Sequence, residues 1–443
     1  MVDNIRFRPD IEEIALEHEN ELKKPAETRK VTRFQRFVVA LKGIQALNPG
    51  NSKSFYWLAS YHGGSSPEIY AAQRKLAGNE APKEFFCAHG IQEFPSWHRV
   101  YVYFFEKALQ EIDPEVMLPF WNQFSQSSKE NGLSRVFTKR KIDLIDGTSI
   151  SNPLRKYTLQ DSVANYPAGT VTDRLSDNLA SYLSSEHPIY VKRALEQKDY
   201  ERFSNHSSSN WSLESAHDNV HVYIGGFMSD PTTAGFDPIF WLHHCFIDYL
   251  FWIWQVKNNQ TSKLNTNRGT YKLIPFKNHQ NQFYTVQETT NIANFFYNYP
   301  EFDLKLVGLE SRNARRQFAN LRSIPLLSKD ESSKKELRID GIEFGKFGGS
   351  FIVKAYAYPP TGKVYLGVFT VFRAAENCEN CRVRRTVNAG FRLKNVRQED
   401  EGNLEFKIKF ELKDKIEFQF RIKMEPGIRY IERRYGNTFE LRY

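Results

Sequence analysis

Two groups of histidines, well separated along the chain, are the residues best placed to do chemistry. The first is Cys87-Ala88-His89 followed by Phe94-Pro95-Ser96-Trp97-His98-Arg99. The second is His217-Asp218-Asn219-Val220-His221 followed by Asp237-Pro238-Ile239-Phe240-Trp241-Leu242-His243-His244. The chain has 11 histidines, and most lie in these groups or at His62. Imidazoles gathered among aromatic side chains with few carboxylates point to a borderline transition metal, copper first. His217 and His221 stand at i and i+4, so both rings on one helix face can reach one ion. His243 and His244 fall on a following helix, where only one of the two faces that ion. His89 and His98 flank a Pro-containing turn, and His62 ends the preceding helix. Three plus three imidazoles on antiparallel helices would hold two metals face to face. A lone histidine is more often a satisfied core residue. Two clusters embedded in aromatic helices argue against that reading here.

The elements that must position these rings are legible as periodicity. Val31–Leu47 repeats its apolar residues at helical spacing, with Phe34, Phe37, Val38, Leu41, Ile44 and Leu47 on one side. Ser54–His62 reads as a second helix stopped by Gly63-Gly64, and His98–Ile112 as a third before Asp113-Pro114. Ser212–Ile224 has Ser212 as a candidate N-cap and Gly225-Gly226 as a stop. Asp237–Lys257 opens with Asp-Pro and continues as a long buried helix. The pattern changes after the charged linker Ser328–Glu336. Ser350–Tyr358, Lys363–Phe372, Leu404–Leu412 and Lys415–Ile422 alternate with period two between Gly and Pro breaks, which predicts an all-β domain. The expected organisation is an N-terminal arm (1–30), a mainly α central domain built as an antiparallel four-helix bundle (31–327), and a sandwich-like C-terminal β domain covering the site (337–443).

Composition bounds the rest. The chain has 443 residues, 40% hydrophobic and 26% charged, long enough for one large domain and a smaller one. Aromatics reach 14%, enough to wall a deep apolar site. The net charge of +9 raises the question of nucleic acid. Basic residues are spread, with mild clusters at Lys334-Lys335 and Arg382-Arg384-Arg385, so a solvated surface is expected and no nucleic-acid partner. Phe236–Val256 is the most apolar stretch, but His243, His244 and Asp248 interrupt it, and no membrane span is expected. Met1–Asp10 lacks the apolar run of a signal peptide, and the 4 cysteines are too few for a disulfide framework. A cytoplasmic or otherwise intracellular location is the resulting expectation.

These residues carry a resemblance. Phe94-Pro95-Ser96-Trp97-His98-Arg99 with Phe105-Glu106, Leu213-Glu214-Ser215-Ala216-His217 with His221, and Asp237-Pro238-Ile239-Phe240-Trp241-Leu242-His243-His244 with Asp248 resemble the type-3 dicopper superfamily of tyrosinases, catechol oxidases and molluscan haemocyanins, most of all its fungal-type tyrosinases. The resemblance implies two copper ions, one on His62, His89 and His98, the other on His217, His221 and His244. It makes the second histidine of the His243-His244 pair the ligand and leaves His243 packing beside it. Asp248, four residues after His244, is then placed to accept a hydrogen bond from a ligating ring. The implied reaction is oxidation of small phenols by O2, both o-hydroxylation of monophenols and oxidation of o-diphenols to o-quinones. In it Glu214, with Asp218 at a position that is Asn in many tyrosinases, orders a water that deprotonates the phenol. Two departures bear on packing around the site: Tyr249 follows Asp248 where the superfamily usually has Arg, and Leu118-Pro119-Phe120-Trp121-Asn122-Gln123 replaces an aromatic Trp-Asp-Trp segment.

Further motifs are implied by the same resemblance. Cys87-x-His89 is similar to a thioether pair in which the Cys sulfur bonds a ligand ring, against the bland reading of a buried thiol. Cys378-x-x-Cys381 is similar to a segment linked to copper loading in fungal tyrosinases. An aromatic residue shortly before it would enter the copper pocket as a substrate placeholder and keep the enzyme latent. Phe369 is the expected placeholder, with Phe372 and the Tyr356–Tyr365 loop as alternatives and a plain strand-core role as the competing reading. Other functions remain to be weighed. A catechol or o-aminophenol oxidase would lack the hydroxylation step. A haemocyanin-like oxygen carrier shares the ligands but comes as repeated modules in very large secreted chains. A hydrolytic zinc enzyme needs an open site with a carboxylate base beside one ion. Oligomeric state is not readable from the sequence.

Overall fold

The computed structural model describes residues 5–82, 85–302, 336–343, 347, 349–372, 386–393, 396, 404–412, 415–426, 429–434 and 437–442. Six helices organise the first part: α1 (Ile11–Leu22), α2 (Arg33–Ala46), α3 (Phe55–Ser60), α4 (Phe94–Ile112), α5 (Leu213–Ile224) and α6 (Ile239–Lys257). Their starts follow from capping chemistry. Thr32 accepts from Gln35 N, Ser54 from Trp57 N and Ser212 from Ser215 N, each satisfying an amide that the first helical turn leaves free. Proline near the start of α4 removes an amide that would have no partner there. Helix α4 begins at Phe94, one turn earlier than His98, so that candidate ligand sits inside the helix.

Helix α6 is apolar all round and accordingly lies at the centre, with Trp241 stacked on Phe105 of α4 at 3.7 Å between ring centroids. The expected arm is integrated with this core. Arg6–Phe7 pairs in parallel with Tyr297–Asn298, and Ile11 and Ile14 of α1 are fully buried in the helical core. Two glycines are required by close backbone approach. A Cβ on Gly63 would lie 2.4 Å from Thr232 Cα, and Gly225, which ends α5 at φ 69°, would place one 2.9 Å from Leu175 O.

Among the described residues, the C-terminal part has eight strands: β1 (Glu336–Glu343), β2 (Phe351–Tyr358), β3 (Val364–Val371), β4 (Thr386–Arg392), β5 (Leu404–Leu412), β6 (Lys415–Met424), β7 (Tyr430–Arg434) and β8 (Asn437–Arg442). They form two four-stranded antiparallel sheets, in the orders β4-β1-β8-β7 and β6-β5-β2-β3. Phe351, Phe369, Phe391, Phe406, Phe410 and Phe439 build a second hydrophobic core between strands of both sheets. The expected linker 328–336 lies outside the described residues except for Glu336, which opens β1. Among the described residues, no helix is long and apolar enough to cross a membrane.

Strand β3 joins the two cores. Val368 and Phe372 pack with the helical core, whereas Phe369 and Val371 pack inside the β domain. This is the two-residue alternation of a strand whose faces meet different partners. Polar contacts fix the docking: Thr370 Oγ1 bonds Asn219 on α5, the Tyr190 hydroxyl bonds Val368 O, and Glu186 accepts from Val368 N at 3.1 Å and from the Tyr365 hydroxyl at 2.8 Å.

Candidate metal centre

The six expected ligand rings meet in one buried space. His62 lies just past α3, His98 within α4, His217 and His221 on α5, and His244 on α6. His89 stands on the extended segment before α4. His217 Nε2 and His221 Nε2 lie 3.1 and 3.2 Å from His244 Nε2. His89 Nε2 lies 3.1 Å from His62 Nε2. The trios face one another: the His98 and His244 rings stack at 4.6 Å, and ligand atoms of His62, His98 and His244 lie within 4.8 Å of one another.

The opposite ring nitrogens explain the orientation. Nδ1 of His62, His98 and His221 each donates at 2.8 Å to a backbone carbonyl, of Pro231, Phe94 and Met228 respectively. That leaves Nε2 as the lone-pair atom turned inward. His217 Nδ1 is 3.0 Å from Asp218 Oδ1, and His89 Nδ1 is 3.2 Å from Glu214 Oε1. Burial, reinforced by the neighbouring imidazoles, holds His62, His98, His217, His221 and His244 well below the ordinary histidine value. They are therefore neutral, as ligands must be. His89 differs. Burial also opposes its charge, but the Cys87 thiol and the Glu214 carboxylate beside it outweigh burial and raise it to about 10. Metal binding would have to displace that proton.

The donor set fits copper. It is all imidazole, it is buried apart from the partly exposed His89, and Nε2 of His98 has no hydrogen-bond partner, a donor atom turned into the space between the trios. Among the described residues, the carboxylates beside the trios, Glu214 and Asp218, meet Nδ1 of His89 and His217, on the side away from the inward Nε2 atoms. Cys87 lies within ligand-atom reach of His62 and His89, in the 4.8 Å group these three form. His243 is held at Nδ1 by Gln123 Nε2 at 2.7 Å and stacks on His217 at 5.2 Å and 16°. Gln123, one of the departures noted in the sequence, is thus the residue that orients it.

Two expectations are corrected. Asp248 does not touch a ligating ring. Its Oδ1 accepts from Arg99 Nε at 2.6 Å, and its Oδ2 from Arg8 Nη1, Tyr297 and Tyr299 at 3.1, 2.6 and 2.7 Å. Two buried guanidiniums capture a buried carboxylate more strongly than a neutral imidazole does. Arg8, from the N-terminal arm, also pairs with Glu106 at 3.0 Å and lies over the Tyr297 ring at 3.6 Å. Tyr249, where the superfamily usually has Arg, stacks on Tyr299.

Phe369 does not reach the site, because it points into the β-domain core. The ring that reaches it is Phe372, stacked on His221 at 4.4 Å and 26°, with His89 and His217 at 5.8 and 5.9 Å. The Tyr356–Tyr365 alternative lies elsewhere, with Tyr365 bonded to Glu186. Cys378 and Cys381 lie outside the described residues. Cys245 is buried, with Sγ 3.5 Å from Leu118 O.

The carboxylates Glu214 and Asp218 sit at the rim, both fully enclosed. Glu214 Oε1 accepts from Gly90 N at 2.7 Å, and its Oε2 from His206 N at 3.0 Å. Burial opposes its charge, but His206 and His89 outweigh burial and keep it below the usual carboxylate value. Burial raises Asp218 to about 6. His206 was not singled out from the sequence. It lies in a Ser/Asn-rich loop with no periodicity to mark it, and only the fold brings it to α5.

Known proteins share this arrangement. A family model described as the common central domain of tyrosinase matches residues 52–257. The tyrosinase of Hahella sp. (strain CCB-MM4) is 28% identical over 505 residues, covering 88% of either chain. Polyphenol oxidase 2 of Agaricus bisporus is 30% identical over 336 residues, covering 62% of this chain and 60% of its own. The solved tyrosinase from Burkholderia thailandensis at high pH superposes with a TM-score of 0.71 at 26% identity, over 91% of this chain and 94% of that one. With the match over residues 52–257, the shared fold and two facing histidine trios, the chain carries the common central domain of tyrosinase found in the type-3 copper superfamily of tyrosinases, polyphenol oxidases and haemocyanins.

Proposed function

We propose that this chain is a copper-dependent phenol oxidase that hydroxylates monophenols and oxidises o-diphenols to o-quinones, and that Phe372 keeps it latent. Two coppers on the trios His62/His89/His98 and His217/His221/His244 would supply two-electron chemistry with dioxygen. The protein supplies the surroundings. Buried Phe94, Phe240 and Trp97 pack around the rings and exclude water, which limits side reactions of a strong oxidant.

The observation that carries the hydroxylase reading is Glu214. A carboxylate kept ionised by His206 and His89, bonded by two backbone amides and 3.2 Å from the outer nitrogen of His89, marks a built proton-handling position at the rim of the site. A phenol titrates near about 10, so deprotonation at neutral pH needs a positioned acceptor. Glu214 and Asp218 would order the water that takes this proton. The latency reading rests on Phe372, whose ring lies on His221 where a phenol would stack. Its strand is anchored to α5 through Thr370 and Asn219.

The test is oxygen uptake and product formation by copper-loaded protein with monophenols, o-diphenols and o-aminophenols, for the intact chain and for Phe372→Gly. Hydroxylation of monophenols, stronger in the variant, is expected. Turnover of diphenols or o-aminophenols alone would reduce the function to a catechol or o-aminophenol oxidase. Reversible oxygen binding with no turnover in either protein would replace the enzyme by a carrier.

A further inference from the structure

Glu214 and Asp218 lie one turn apart on α5, with side chains 0% and 3% exposed. Like charges at this spacing repel, and two enclosed carboxylates stay ionised together only beside a cation. Among the described residues, the ion-pair partners within reach of these two carboxylates are three histidines: His89, His217 and His206. His89 and His217 are candidate ligands and must be neutral when they bind metal. His206 is the partner that touches both carboxylates without being a candidate ligand.

Its geometry is that of a clasp. His206 Nδ1 lies 2.9 Å from Asp218 Oδ2 and 3.2 Å from Glu214 Oε2, and the backbone amide of the same residue donates to Glu214 Oε2 at 3.0 Å. The other oxygens face the trios, Asp218 Oδ1 toward His217 and Glu214 Oε1 toward His89. Each carboxylate thus spans from one candidate ligand ring to the same His206 ring. Gly90 lies beside it at φ +69°, where a Cβ would crowd Ser207 Oγ at 3.2 Å and meet His206 Nε2 at an ordinary 3.5 Å. His206 is also the most open of the three groups, its side chain 21% exposed.

We propose that His206 is a positioning residue whose imidazolium, 2.9 Å from Asp218 and 3.2 Å from Glu214, holds both carboxylates turned toward His89 and His217 and thereby sets the ratio of monophenol to catechol turnover. This rests on the phenol-oxidase reading of the site. Burial disfavours a charged His206, but the Glu214 charge and the hydrogen bond to Asp218 outweigh it and raise the ring to about 9, in agreement with the geometry.

The experiment is a double-mutant cycle with His206→Ala, Asp218→Asn and the pair, with His206→Gln as a neutral donor of similar reach. In copper-free protein, thermal unfolding is expected to show a clear fall in Tm for His206→Ala and a much smaller fall when Asp218 is already Asn. In copper-loaded protein, the monophenol to catechol ratio is expected to fall roughly tenfold in both His206→Ala and His206→Gln, and by about twofold at most when His206→Ala is placed on Asp218→Asn. Equal Tm losses in the two backgrounds would overturn the proposal. So would full rescue by Gln, which would make His206 a packing residue. Failure of the copper-loaded wild type to hydroxylate any monophenol would defeat the hydroxylase reading itself, and the copper-free cycle would still decide whether His206 holds the pair.

Discussion

The Phe372 ring stacks on His221 with centroids 4.4 Å apart and planes 26° apart. A residue of the β domain therefore occupies the face of a candidate ligand ring. Fully burying a Phe side chain is worth about 1.5–3 kcal/mol, which a substrate must displace to enter. Phe372→Gly is expected to raise catechol turnover by roughly ten- to a hundredfold at limiting substrate, with copper content unchanged. Phe369→Gly, on the opposite strand face, is expected to destabilise the β domain without a comparable gain. Full activity of the intact chain, unaltered by Phe372→Gly, would discard the cover.

Copper content checks the ligand set. Two coppers per chain are expected on His62, His89, His98, His217, His221 and His244. His221→Ala removes one of the three donors that converge on one side of the site, so metal analysis is expected to find one copper and oxygen uptake is expected to vanish. Retention of both ions would refute the assignment.

Cys87 and His89 are expected to be linked covalently once copper-loaded protein has met oxygen. The thiol hydrogen and a ring hydrogen leave together, so the peptide carrying both residues should weigh two hydrogens less. The bond would restrain the one candidate ligand that stands on an extended segment outside a helix. Alkylation of Cys87 in fully loaded, oxygen-exposed protein would disprove it.

Glu214→Gln keeps the shape of the side chain and removes its charge. General-base contributions run to about 10²–10⁴-fold, so monophenol turnover is expected to drop by about that much and catechol turnover far less. Equal losses on the two substrates would mean that Glu214 is an ordinary first-turn helix acid, favoured only by the helix dipole.

Arg8 binds Glu106 and Asp248 in a fully enclosed network. Arg8→Met would leave one buried carboxylate without a cation and the other with Arg99 alone. Breaking a buried ion pair from one side costs about 3–5 kcal/mol. A fall of that size in unfolding free energy is expected, together with weaker copper retention, since Asp248 lies one turn from His244 on α6. A change below about 1 kcal/mol would show that the network relaxes around water.

Much of this was legible along the chain because it depends on local rules. Helix spacing put His217 and His221 on one face, Ser212 announced its cap, and alternation in runs from Ser350 to Ile422 announced a β domain. Local rules also leave particular questions open. Alternation says that Phe369 and Phe372 lie on opposite faces of strand β3, but which face meets the helices depends on how the strand docks against α5. The i+4 spacing put Asp248 near His244, yet its partner was chosen by Arg8 and Arg99, which arrive from distant segments. His206 had no periodic signal and gained its carboxylate partners only through packing. The sequence by itself determined the ligand types, the helices that carry them and the two-domain order, since these follow from residue chemistry and short-range spacing. The tertiary structure alone decided which charges pair beneath the site, which ring covers it and which histidine clasps its carboxylates, because burial and long-range contact set the energy of each.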